Sequence, residues 1–62
     1  MIDKNRALPI IDEMLGQLEK LHDLTRETGS PDSEADVEFV RYTIPIKAGL
    51  ERIKQMAENF ES

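Results

Sequence analysis

Apolar side chains recur every three or four residues along most of this 62-residue chain. This spacing is typical of one face of an α-helix. The pattern is interrupted once, by a cluster of turn-forming residues at Gly29–Ser33. The sequence therefore predicts an all-α fold, a helical hairpin in a single small domain over residues 1–62. Helix 1 is expected over about 8–28, the turn over 29–33 and helix 2 over about 33–60.

Helix 1 is predicted to carry one apolar stripe. Pro9 fits its first turn, where the missing N–H costs nothing, and a start near Asp3 would also fit if Pro9 still lay in that turn. Gly29 is expected to end the helix in the left-handed conformation. The stripe consists of Ala7, Ile11, Met14, Leu18, Leu21 and Thr25.

Helix 2 has two candidate N-caps, Ser30 before Pro31 and Ser33. The acidic residues that follow suit the positive end of the helix dipole. Past them a second apolar stripe predicts the face toward helix 1, with aromatic residues in the core. It consists of Phe39, Tyr42, Ile46, Leu50, Ile53, Ala57 and Phe60.

One segment of helix 2 has the composition of a strand. Residues 37–46 read VEFVRYTIPI, rich in β-branched and aromatic side chains. The apolar stripe nevertheless keeps its helical phase across Pro45, which a strand would not require. We therefore predict one long helix, kinked between Arg41 and Pro45, with a break or a strand as the alternative.

The first half of helix 2 is apolar on two sides. At 100° per residue, Val37, Val40 and Ile44 fall about 100–180° around the helix from Phe39 and Ile46. Helix 1, at about 21 residues, would also leave part of a 28-residue helix 2 uncovered. The sequence thus predicts a homo-oligomer, most simply a dimer forming a four-helix-type bundle. The predicted oligomer or partner interface is Val37, Phe39, Val40, Tyr42, Ile44, Ile46, Leu50, Ile53 and Phe60.

Charge and composition limit the partners. Thirteen acidic against eight basic residues give a net charge of -5, which disfavours nucleic acid and anionic membranes. No apolar run approaches the roughly 20 residues of a membrane span. The chain has no cysteine, so disulfides and thiolate metal sites are excluded. We expect a cytoplasmic protein.

The sequence contains few residues that could bind a metal ion or an anion. Glu19 and His22 have the Glu-x-x-His spacing of helical di-metal sites, but Glu19 falls on the polar arc, so neither a metal nor a cofactor is predicted. Arg41, Lys47 and Arg52 are a candidate anion-binding set, although a solvated face is the preferred explanation for these residues.

The sequence contains no catalytic grouping, so an enzyme is not expected. We predict a small acidic interaction module or regulator that binds itself and another protein. The alternative is an oligomer that binds an anionic metabolite or nucleotide at the subunit interface, through copies of Arg41, Lys47 and Arg52.

Overall fold

The computed structural model of the protein describes residues 2–60 and shows two helices packed against each other. Helix α1 spans Lys4–Thr28 and helix α2 spans Glu34–Glu58, 25 residues each. The predicted all-α helical hairpin is confirmed. The two helices are equal in length, so the predicted overhang of a longer second helix is wrong.

Helix α1 begins earlier than its apolar stripe predicted because Asp3 caps it. The Asp3 carboxylate accepts a 2.9 Å hydrogen bond from the N–H of Asn5. Pro9 is therefore the sixth residue of the helix rather than part of its first turn. The Asn5 carbonyl lacks the N–H that an ordinary residue at position 9 would donate.

Helix α1 ends at Gly29, but not in the left-handed conformation that was predicted. Gly29 has φ -78° and ψ 159°, an extended conformation, and its N–H donates a 2.8 Å hydrogen bond to the Thr25 carbonyl. A Cβ atom at Gly29 would collide with that carbonyl oxygen. Glycine suits this position because the turn approaches the helix backbone closely, not because φ is positive.

Helix α2 begins at the second of its two candidate caps. The Ser33 hydroxyl accepts a 3.3 Å hydrogen bond from the N–H of Asp36. The Asp36 carboxylate in turn accepts a 2.9 Å hydrogen bond from the N–H of Ser30 and so ties the turn to the new helix. From there α2 runs without interruption through Pro45. A strand or a helix break at 37–46 is therefore wrong.

The core is a thin line of side chains between the two helices, which we call the seam. Among residues 2–60, four apolar side chains are buried, and Thr43 lies with them. No large side chain in this range is less than 2% exposed. The buried apolar residues are Ile11, Leu18, Leu50 and Ala57.

The predicted inward stripe of α2 is correct at Leu50 and Ala57 but wrong at Ile53, which is 48% exposed, and in the first half of the helix. Phe39 is 43% exposed and Tyr42 65% exposed, so neither aromatic side chain is in the hairpin core. Helix α1 packs instead on the arc between the two apolar sides of α2, where Thr43 lies. Both apolar sides therefore flank the seam and remain accessible.

Candidate protein-interaction surfaces

One flank of the seam is apolar along the whole hairpin. Met14 and Leu21 of α1 line a 420 Å³ groove together with Ile46 of α2. Nearer the chain ends, a 280 Å³ groove is lined by residues that include Ile53 and Met56. Ile2, which precedes α1, lines the same groove, and helical periodicity adds the neighbouring exposed side chains of the two helices to this side. We call this surface the broad apolar face: Ile2, Ile10, Met14, Leu24, Phe39, Tyr42, Ile46, Ile53 and Met56.

The opposite flank is apolar only beside the turn. Val37 is 42% exposed and Ile44 58% exposed, and half-buried Val40 lies between them. We call these three residues the turn patch. They form one wall of a 510 Å³ groove whose other wall includes His22 and Arg26 of α1.

Away from the turn, this second flank becomes charged. Nζ of Lys54 lies 2.8 Å from the Asp12 carboxylate, across the seam. The hydrogen bond to Asp12, and then the attraction of its charge, raise the pKa of Lys54 above the ordinary value of 10.5. No pattern in the sequence pointed to this partner of Lys54, which lies 42 residues away along the chain.

His22 makes a hydrogen bond across the seam instead of lying free on α1. Its Nε2 atom is 2.7 Å from Oγ1 of Thr43, which is 3.0 Å from the Val40 carbonyl oxygen. A hydroxyl has one proton, so when Thr43 donates to that carbonyl, His22 must be the donor to Thr43. Among residues 2–60, no three His, Cys, Asp or Glu side chains are grouped to hold a metal ion.

The three candidate anion-binding cations are not neighbours within one chain. Arg41 and Arg52 lie on a similar side of α2 but eleven residues apart, which is about 16 Å along the axis. Lys47 lies on a different side of the helix, roughly 120° around it. Arg41 also shares a shallow groove with three carboxylates, those of Asp32, Glu34 and Glu38.

Negative charge is concentrated where the helices meet the turn. Residues 23–41, here called the turn end, hold six acidic and two basic residues, so -4 of the total -5 lies there. The remaining residues hold seven acidic and six basic residues, a net charge of -1. The hairpin thus has one strongly acidic end and one nearly balanced end. The acidic residues of the turn end are Asp23, Glu27, Asp32, Glu34, Asp36 and Glu38.

Within residues 2–60, neither helix combines the length and the apolar character needed to cross a membrane. The chain matches no known family model, and it shows no significant similarity to a curated protein or to a solved structure.

Proposed function

We propose that this protein is a non-catalytic interaction module that self-associates through the broad apolar face and acts by binding another protein. The observation that supports this proposal is the distribution of apolar side chains. Eleven large ones are exposed among residues 2–60, and nine of these lie on the broad apolar face, whereas only four apolar side chains are buried. Large contiguous apolar surfaces mark interaction sites in proteins that are not membrane-embedded.

The dimensions of this face suit a dimer. The Cα atoms of the hairpin extend over 47 × 16 × 11 Å. A face spanning the two longer dimensions offers roughly 750 Å² to a partner, close to the about 800 Å² per partner of a stable interface. Two hairpins packed on this face would form a four-helix-type bundle, in which each large side chain gains about 1.5–3 kcal/mol from burial.

The charge distribution favours an antiparallel pair of hairpins. In a parallel dimer the two acidic turn ends would lie side by side. In an antiparallel dimer each turn end lies beside the balanced end of the other copy. Most of the 47 Å length then separates the two acidic ends, several times the Debye length of about 8 Å at physiological salt.

The polar groups at the seam support a structural role rather than catalysis. His22 is bonded to Thr43, and Lys54 is paired with Asp12. Each of these four side chains therefore joins the two helices. His22 also lines the groove beside the turn patch, where its Nε2 atom is bonded to Thr43.

Sedimentation equilibrium at about 10 μM tests the self-association. The expected mass is twice the 7.1 kDa of one chain, with a melting temperature that rises with protein concentration. Ile53→Glu should weaken the dimer about 100-fold or more, because each dimer loses two buried side chains worth roughly 1.5–3 kcal/mol apiece. Gln55→Glu, also at an exposed position but on the outer side of α2, is the matched control and should leave the mass unchanged.

A folded species of 7.1 kDa at this concentration would refute the proposed self-association. Ligand binding at a subunit interface stays a prediction from the sequence. Arg41 and Arg52 lie on the outer side of α2, so a dimer through the broad apolar face would not bring them together. A thermal-shift screen against nucleotides checks this alternative.

A further inference from the structure

We infer that the turn patch is a second docking surface and that its partner is a cationic amphipathic helix of another protein. This surface is separate from the broad apolar face. Self-association and partner binding can therefore succeed or fail independently, and each has its own readout.

The turn patch has the shape that a helix recognises. Val37, Val40 and Ile44 follow one another at steps of three and four residues and form a ridge on α2 that is exposed at Val37 and Ile44 and half-buried at Val40. The groove beside this ridge has a volume of about 510 Å³ and is closed on the far side by His22 and Arg26. Partner helices dock in such grooves through anchors with the same i, i+3, i+4 spacing.

A second copy of this chain does not suit the turn patch. A twofold contact uses the same patch on both copies, and this patch lies at one end of the hairpin. Such a contact would place two turn ends, each with a net charge of -4, against one another. Like charges brought together at an interface oppose association.

The carboxylates around the turn patch determine the charge of the partner. Asp36 lines the main groove, and Val37 also lines the neighbouring shallow groove with Asp32, Glu34 and Glu38. The Arg26 guanidinium in the groove wall already lies 3.3 Å from the Asp23 carboxylate. An apolar ridge with this acidic rim is complementary to a helix that carries leucine-like anchors flanked by lysine or arginine. Nucleic acids and anionic membranes have the wrong charge.

The test uses three designed peptides of about 18 residues as probes. The first places Leu at i, i+3, i+4 and i+7 with Lys at the remaining positions. The second replaces each Lys with Glu, and the third replaces each Leu with Ala. Calorimetry at about 0.15 M salt should show the Leu/Lys peptide binding at least tenfold more tightly than either of the others. Amide shifts in nitrogen-15 spectra should centre on Val37, Val40 and Ile44.

Variants of the chain locate the contact. Ile44→Gln should weaken binding of the Leu/Lys peptide at least tenfold, whereas Ile53→Gln on the broad apolar face should not. The double change Glu34→Gln with Glu38→Gln should weaken it severalfold. Glu51→Gln with Glu58→Gln alters the same charge on the same helix at the other end and is the matched control.

Several results would overturn the inference. Equal binding of the Ala/Lys peptide would show that charge alone attracts the probe. Equal binding of the Leu/Glu peptide would show that the acidic residues around the turn patch do not select a cationic partner. Amide shifts centred on the broad apolar face, or an unchanged affinity for Ile44→Gln, would place the contact elsewhere.

Because Ile44 is 58% exposed, its replacement should not unfold the hairpin, and circular dichroism verifies this. A monomeric protein that still bound the peptide at Ile44 would refute only the proposed self-association.

Discussion

Replacement by alanine should stabilise the fold at two of the glycines, Gly16 and Gly49, and destabilise it at the third, Gly29. Gly16 and Gly49 lie inside the helices, and a Cβ atom at either position would meet nothing within 4 Å. Alanine there should stabilise the fold by about 1 kcal/mol, the difference in helix propensity between the two residues. At Gly29 the added Cβ atom would collide with the backbone carbonyl oxygen of Thr25.

The cost at Gly29 follows from what must move. Backbone atoms on both sides of the collision belong to the end of α1 and the turn, so the turn must shift away from the helix. The shift lengthens or breaks the 2.8 Å hydrogen bond from the Gly29 N–H to Thr25, worth about 1 kcal/mol. Overpacking of this kind costs about 1–3 kcal/mol. We therefore expect Gly29→Ala to lower the free energy of unfolding by about 1–3 kcal/mol in total.

Urea unfolding followed by circular dichroism at 222 nm measures all three variants. The protein concentration must be the same in each experiment, because association is expected to be coupled to folding. Gly16→Ala should move the midpoint to higher urea and Gly29→Ala to lower urea. Equal shifts for both variants, or a stabilised Gly29→Ala, would refute the role assigned to the close approach at Thr25.

Three further predictions concern the seam. Leu18→Ala should cost about 2–5 kcal/mol by thermal or urea unfolding, because it leaves a cavity in a core of few side chains, whereas Ile44→Ala, at an exposed position outside the broad apolar face, should cost less than half of that. Thr43→Val should cost about 1 kcal/mol through loss of the bond between the helices, and Thr43→Ser should restore most of it, so equal stability of the two variants would contradict the assignment. The raised pKa of Lys54 means that the ion pair stabilises the fold below pH 10.5 and that this contribution is lost as pH rises through the higher folded pKa. Asp12→Asn should therefore return the pKa of Lys54 toward 10.5 in an NMR titration and flatten the loss of stability above that pH.

The hairpin itself could be predicted from the sequence because its determinants are local. Helical periodicity on both sides of one turn-forming cluster is sufficient to specify two helices and the turn between them. The cap at Ser33 was identified as one of two candidates from residue type alone. The prediction that the helix continues through Pro45 followed from the phase of the apolar residues. This phase outweighed the strand propensity of the β-branched side chains in residues 37–46.

The inward faces could be predicted only in part. Ile11, Leu18, Leu50 and Ala57 are stripe residues, and all four are buried. In the first half of α2 the sequence offered two apolar sides, and periodicity alone could not show which of them faces α1. The structure shows that neither does, because the seam lies on the arc between them, at Thr43.

The sequence by itself determined two amphipathic helices, one turn and an acidic chain with more apolar surface than a single hairpin can bury. Only the tertiary structure decided where the seam runs, and therefore which apolar side chains remain on the broad apolar face and which form the turn patch. It also decided the partners of His22 and Lys54, which are 21 and 42 residues away along the chain. The physical reason is that local periodicity specifies which residues share a side of a helix. The rotation and the axial register of one helix against another depend on how their side chains pack.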